Sequence, residues 1–268
     1  MKTLVPVAML AVSLSAPGVM AGQTAWEEVF PDVAMRVISS DVMLPDQTTW
    51  VALEIDMPTD TKTYWKVPGE SGIPAQLDMS GSQGIDAAEP VWPYPTRETR
   101  AGYLDHVFYG HFVLPIQLSV TGSEPRLAAD FTLGICSDVC VPVAVSFETA
   151  LDFGVPDRAQ SLRIDQALAD VPVPAPQGLL EVGEAHYDPD SHAIVLDWQA
   201  ASDISGIIGE IDGRMTLLGP PEHDETGRTL AFPVYGKMRD PIGTDASMTL
   251  SFATSEGPYR VTTPLRAR

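Results

Sequence analysis

The 268-residue chain carries a formal net charge of −20 and a pI near 4.4. That balance argues against nucleic acid and an anionic membrane surface as partners, because phosphate binding draws on Lys and Arg. A hydrophobic content of 44% excludes wholesale disorder and calls for a packed core.

In chain order, Lys2 precedes a short apolar stretch over 4–13. Pro17 and Gly18 break it, and Val19-Met20-Ala21 supplies the small residues a signal peptidase reads. The pattern predicts a secretory signal peptide over 1–21, too short to span a bilayer. No later stretch approaches the roughly 20 apolar residues of a spanning helix, so the expectation is an exported chain without direct membrane insertion.

Strand-like alternation begins at 50–56, with Val51, Leu53 and Ile55 on one face. Residues 111–120 place Phe112, Leu114, Ile116 and Leu118 together, and Pro115 points to an edge strand or a bulge. Further strands are expected at 127–135, 141–149, 193–198, 215–218, 229–235, 248–253 and 259–263. Short strands between Gly-, Pro- and Asp-rich turns read as all-β sandwich. Residues 157–170 differ: their composition is helix-forming, with Leu162, Ile164 and Leu168 as apolar positions. They run into alternating prolines at 171–178, which favour an extended, stiff spacer. The chain therefore reads as two β-sandwich domains, 22–170 and 179–268, joined by a short helix and a Pro-rich linker at 171–178.

The chain has two cysteines, Cys136 and Cys140, and in an exported protein an even count suggests pairing. Closing so short a loop removes about 2 kcal/mol of chain entropy, against about 4.7 kcal/mol for a 100-residue loop. It is a poor staple. Phe131, Leu133 and Ile135 share one face, as do Val141, Val143, Val145 and Phe147. A hairpin pairing Ile135 with Val141 then pairs Cys136 with Cys140 around the tip Ser137-Asp138-Val139. Both sulfurs fall on the face opposite the core residues. Opposed Cα atoms in a non-hydrogen-bonded pair lie about 4.5 Å apart, the short end of the disulfide range. Strained, accessible disulfides are the labile ones used in exchange.

Two other readings of the pair stay open at this point. One is an inert hairpin disulfide in an adhesin or assembly subunit. The other is a pair of soft ligands for Cu(I) or Zn(II), although a closed zinc site needs four ligands and no His falls within twenty residues of the cysteines. No metal site is assigned. Neither Ser/His/Asp catalysis nor a flavin, haem or nicotinamide cofactor has a supporting motif, so no cofactor is expected.

An ordered series of segments carries a family resemblance. It consists of Thr63-Tyr64-Trp65-Lys66-Val67-Pro68-Gly69-Glu70-Ser71-Gly72-Ile73-Pro74, Pro90-Val91-Trp92-Pro93-Tyr94-Pro95, Gly102-Tyr103, and Cys136-Ser137-Asp138-Val139-Cys140-Val141-Pro142. Together these resemble the periplasmic N-terminal region of DsbD-type thiol:disulfide interchange proteins, especially the ScsB branch linked to copper tolerance. The resemblance covers roughly 26–155, and more weakly the second domain through Phe232-Pro233-Val234. It implies an immunoglobulin-like fold, a periplasmic location and one redox cysteine pair. It implies protein-disulfide reductase-type interchange with thioredoxin-like partners, with Cys140 as the partner-linked cysteine. Phe108-Tyr109-Gly110 resembles the family's cap loop over the disulfide, and ordinary sandwich positions are the alternative for Phe108 and Tyr109. Tyr64 and Trp65 are each read as lining the site or filling the core, with core favoured for Trp65. Family members carry a transmembrane domain in the same polypeptide. This sequence shows none before Arg268, so the expected electron donor is a separate membrane-embedded dithiol protein.

Overall fold

The computed structural model describes residues 22–100, 102–154, 156–201, 204–238 and 241–267; the expected signal peptide lies outside them. Two sheets and one helix make the N-terminal part. Its strands are β1 (Glu27–Phe30), β2 (Val33–Ser39), β3 (Thr48–Asp56), β4 (Lys62–Gly69), β5 (Gln76–Asp78) and β6 (Ile85–Pro90). There follow β7 (Thr96–Arg100), β8 (Tyr103–Tyr109), β9 (Phe112–Val120), β10 (Arg126–Cys136), β11 (Cys140–Ala150) and α1 (Arg158–Ala169). One sheet has the order β1-β2-β3-β9-β6, and the other β11-β10-β4-β8-β7 with β5 added to β10. Alternation decides what lies between them. Val51, Leu53 and Ile55 from the first sheet meet Phe131, Leu133, Ile135 and Phe147 from the second in one core.

Position 52, on the outer face of β3, is buried too, because α1 covers it: Ala52, Ile38, Val113 and Ile164 form a small second cluster. The helix starts at Asp157, whose carboxylate accepts from the amides of Ala159 and Gln160 at 3.0 and 3.2 Å, satisfying first-turn donors. Of its apolar residues Ile164 is buried and Leu168 packs beside it, whereas Leu162 is exposed.

Pro115 corrects the expectation of an edge or a bulge. It sits within β9, an interior strand, opposite Ala52 of β3. Its carbonyl accepts from the Val91 amide at 2.8 Å. A residue's N and O point the same way in an antiparallel ladder, so the missing N–H faces β6. The β6 pairing ends there, at Pro90↔Ile116.

The C-terminal part adds β12 (Val173–Pro174), β13 (Leu180–Val182), β14 (Ala185–Asp188), β15 (Ala193–Ala200) and β16 (Ser205–Ile211). It closes with β17 (Glu222–His223), β18 (Thr229–Pro233), β19 (Ser247–Thr254) and β20 (Gly257–Ala267). The order is β16-β19-β20-β14-β15-β18-β17. This sheet builds a second core, to which β15, β18 and β19 contribute Ile194, Phe232 and Leu250, while Ile208 and Leu217 pack into the first. The strand expected at 215–218 is absent; Leu218 makes a single bridge to Val234. The Pro-rich spacer is extended but not free. Val173 and Pro174 pair in parallel with Tyr259 and Arg260 of β20.

The two parts touch. The Tyr94 hydroxyl donates to the Gly206 carbonyl and the Arg97 guanidinium to that of Ile207. Lys66 Nζ lies 2.7 Å from Glu210 Oε2. Gly206 has φ +64° and no room for a Cβ, which would sit 2.5 Å from the Tyr94 hydroxyl. No helix among the described residues is long and apolar enough to cross a membrane.

Candidate functional site

The hairpin β10–β11 forms in the register that alternation dictates, Ile135↔Val141 and Cys136↔Cys140. The cysteines are joined as a disulfide with Cα atoms 4.1 Å apart. Parity sends Ile135 into the core and Cys136 to the other face, where it packs with Tyr64 and Val107. Cys136 is 1% exposed, whereas Cys140 and the tip residues Ser137, Asp138 and Val139 are exposed. The pair thus offers one sulfur-bearing residue to solvent and holds the other inside.

Neighbouring strands build the surroundings. Cys136 lies opposite Lys62 of β4, and Lys62 opposite Tyr109 of β8, so these side chains share one face. Tyr64, two residues on from Lys62, shares it as well. Its hydroxyl is 2.9 Å from Cys136 Sγ and 3.2 Å from Cys140 Sγ. The ring lies over Gly134, where a Cβ would come within 3.0 Å of it, and under Gly72, where the distance would be 2.7 Å. Both glycines make space for the tyrosine.

The loop carrying Gly72 is tied to β8. Glu70 N donates to the Leu104 carbonyl at 2.9 Å, and Ser71 N donates to Asp105 Oδ1 at 3.0 Å. Gly69 permits the approach: its φ is +108°, and a Cβ would lie 2.3 Å from the Leu104 carbonyl oxygen. This loop covers Tyr64.

Charges sit beside the pair. Lys62, 7% exposed, bonds to Glu98 and lies 3.7 Å from Asp105 Oδ2. The Tyr109 hydroxyl donates to Glu98 Oε1 at 2.7 Å. Burial pushes the Glu98 carboxyl up, but the hydrogen bonds from Lys62 and Tyr109 outweigh it and hold the group below the ordinary carboxylate range. Burial and the Glu98 carboxylate together push Tyr109 up to about 12. Burial also raises Tyr64, against the lowering effect of Ser71 and Lys62.

Of the expected lining residues, Tyr64 touches both sulfurs. Tyr109 shares their face, and its hydroxyl bonds to Glu98, which also holds Lys62. Phe108 does not cap the disulfide. One position along β8 from Tyr109, it points the opposite way and stacks on Phe112, with ring centroids 4.1 Å apart, inside the core. Trp65 is core as expected. Lys62, Glu98 and Asp105 escaped the sequence reading. Parity with Tyr64 was the signal available for Lys62, whereas Glu98 and Asp105 depend on strand neighbours that no local pattern names. Among the described residues no three His, Cys, Asp or Glu side chains gather as a metal-binding group.

Comparison with known proteins points the same way. Residues 32–152 match the family described as thiol:disulfide interchange protein DsbD, N-terminal. The crystal structure of the N-terminal periplasmic domain of ScsB from Proteus mirabilis superposes with a TM-score of 0.69 at 22% identity. That match covers 91% of this chain and 99% of that one, and it shows a shared fold over nearly the whole length. An I-band fragment of titin aligns at 9% identity over 88% of this chain and 73% of its own, with a TM-score of 0.19, too low to carry an argument. No curated protein matches by sequence.

Proposed function

We propose that the protein is a periplasmic thiol–disulfide exchange module working through Cys136 and Cys140, a reading supported by the match of residues 32–152 to the DsbD N-terminal family. The observation that carries this reading is the asymmetric disulfide at the hairpin tip, Cys140 exposed and Cys136 buried against Tyr64. A partner thiolate reaches Cys140 first and forms a mixed disulfide, and Cys136 is the sulfur released. Cys140 is then the partner-linked cysteine.

The rest of the proposal follows from electron supply. Two cysteines store one electron pair, so net reduction of other proteins needs resupply. Residues 1–21 act as a signal peptide and place the chain outside the cytoplasm, where no reduced thiol pool is maintained. A membrane-embedded dithiol protein is the donor and thioredoxin-like proteins are the acceptors. We divide the chain into a redox-active immunoglobulin-like domain at 22–170, the linker 171–178 and a second β-sandwich at 179–268. Two apolar clusters support this division, one centred in each part, although Ile208 and Leu217 of the second part pack into the first cluster.

The test is trapping. A Cys136→Ala variant, purified reduced, is expected to form a mixed disulfide through Cys140 with an oxidised thioredoxin-like protein in metal-free buffer containing chelator. Tight stoichiometric Cu(I) binding without any exchange would replace this reading with copper handling. A wild-type pair that stays fully oxidised in growing cells, whatever membrane thiol proteins are present, would eliminate the reductive carrier.

A further inference from the structure

Building on the exchange reading, we propose that Tyr64 is a catalytic residue whose buried hydroxyl hydrogen-bonds each sulfur as it leaves, first Cys136 and then Cys140. Neither sulfur of a disulfide carries a proton, so the phenol is the donor in both contacts, at 2.9 Å and 3.2 Å. A disulfide sulfur is a weak acceptor, and a thiolate is a strong one. The same contact therefore tightens as charge develops, which is the condition for accelerating a step rather than merely binding a state.

The chemistry balances as follows. A partner thiolate attacks Cys140 Sγ, a new S–S bond forms to it, and the Cys136–Cys140 bond breaks. Cys136 Sγ takes the electron pair and leaves as a thiolate beneath the Tyr64 hydroxyl. The partner's second thiolate then attacks the partner's own sulfur in the mixed disulfide. That partner is oxidised to a disulfide, and Cys140 Sγ leaves as the second thiolate, within reach of the same hydroxyl. Two electrons have passed to the pair, and its two protons come from water.

Tyr64 stabilises these thiolates by hydrogen bonding and does not surrender its proton, since a phenol near pKa 10 is a weaker acid than a thiol near 8.5. Its surroundings keep it that way. Burial raises its pKa, and although Ser71 and Lys62 pull it down, Asp105 and Glu98 push it up further. The ring has little freedom to move, with Gly134 on one side, Gly72 on the other and Lys62 Nζ 5.7 Å from its centroid. Tyr109, hydrogen-bonded to Glu98, is the remaining titratable group on this face. The buried hydroxyl lies within hydrogen-bond distance of both sulfurs, and Ser71 is its other side-chain partner, so its own proton is directed at the disulfide.

Tyr64→Phe keeps the ring and removes the hydroxyl. The rate at which a reduced thioredoxin-like protein reduces the Cys136–Cys140 pair is expected to fall about tenfold. In the reduced variant the lower thiol pKa, read from thiolate absorbance against pH, is expected to rise by about one unit, a readout that a purely structural role would not move. Near-UV circular dichroism establishes that the variant is folded. An unchanged reduction rate in folded Tyr64→Phe protein overturns this proposal and leaves the exchange reading standing. A wild-type pair that no dithiol reduces in the folded protein overturns both.

Discussion

The sheet β11-β10-β4-β8-β7 has two faces that use similar residues to opposite ends. On one, Cys136, Lys62, Tyr64 and Tyr109 gather with Glu98 and Asp105, and the lysine, the phenol of Tyr109 and both carboxylates are bonded or within ion-pair reach. On the other, Trp65 meets His106 edge to face at 5.4 Å, and Arg97 lies opposite His106 in the ladder. Here Trp65 Nε1, His106 Nε2 and Arg97 Nε are buried without a hydrogen-bond partner among the described residues. The difference is in what each face must accommodate. The first surrounds a bond that gains two charges when it is reduced to thiolates, so its polar groups are arranged to tolerate charge. The second is pressed against the C-terminal part, where the Arg97 guanidinium is held by the Ile207 carbonyl and the histidine is kept neutral. Burial lowers the His106 pKa to about 4, with the Val67 carbonyl opposing and Arg97 assisting. Burying a charged or titratable side chain therefore does not by itself mark a site; the reactive group beside it does.

The sharpest way to break the contrast is to remove the cation from the first face. Lys62→Met leaves Glu98 and Asp105 facing each other in a mostly buried setting. Urea unfolding is expected to show a loss of about 3–5 kcal/mol, the usual cost of orphaning a buried ionic partner. A loss under 1 kcal/mol would mean that solvent screens the cluster.

The second face is probed by acid. A histidine whose folded pKa lies below its unfolded value of about 6.5 binds fewer protons folded than unfolded across the intervening window. Stability is therefore complete above pH 6.5, declines as pH falls toward about 4, and this contribution levels off below that. The decline amounts to as much as about 3 kcal/mol, and His106→Gln is expected to flatten it. Glu98, whose folded pKa is depressed, contributes in a separate window, with stability lost as pH falls below the ordinary glutamate range. Melting curves between pH 7 and 3 in wild type and variant resolve the two windows.

A smaller effect is expected from reducing Cys136–Cys140. Opening so short a loop costs about 2 kcal/mol at most, so the melting temperature should drop by several degrees with the fold retained. Unfolding on reduction would make the bond a staple. The smallest effect belongs to Lys66→Met at the contact between the two parts. The lysine is 40% exposed although Glu210 is largely buried, so solvent screens one side of the pair, and breaking it should cost about 1 kcal/mol and leave exchange rates untouched.

Local chemistry alone determined several features of this protein. The alternation of Phe131, Leu133 and Ile135 against Val141, Val143 and Val145 was enough to set the hairpin register, and with it the pairing of Cys136 and Cys140. An aspartate at 157 before a helix-forming stretch was enough to begin α1. These features are legible because side-chain parity and helix capping act over a few residues. Tertiary structure decided the rest. Tyr64 reaches Cys136 across 72 positions of chain, and Glu98 reaches Lys62 across 36. Both contacts exist only because β4 lies between β10 and β8. Strand neighbours in the other two sheets likewise placed Pro115 where a ladder ends and paired the proline spacer with β20. Alternation fixes which face a residue occupies, but not which strand lies beside it. That choice depends on how distant apolar faces bury one another, and no local spacing encodes it.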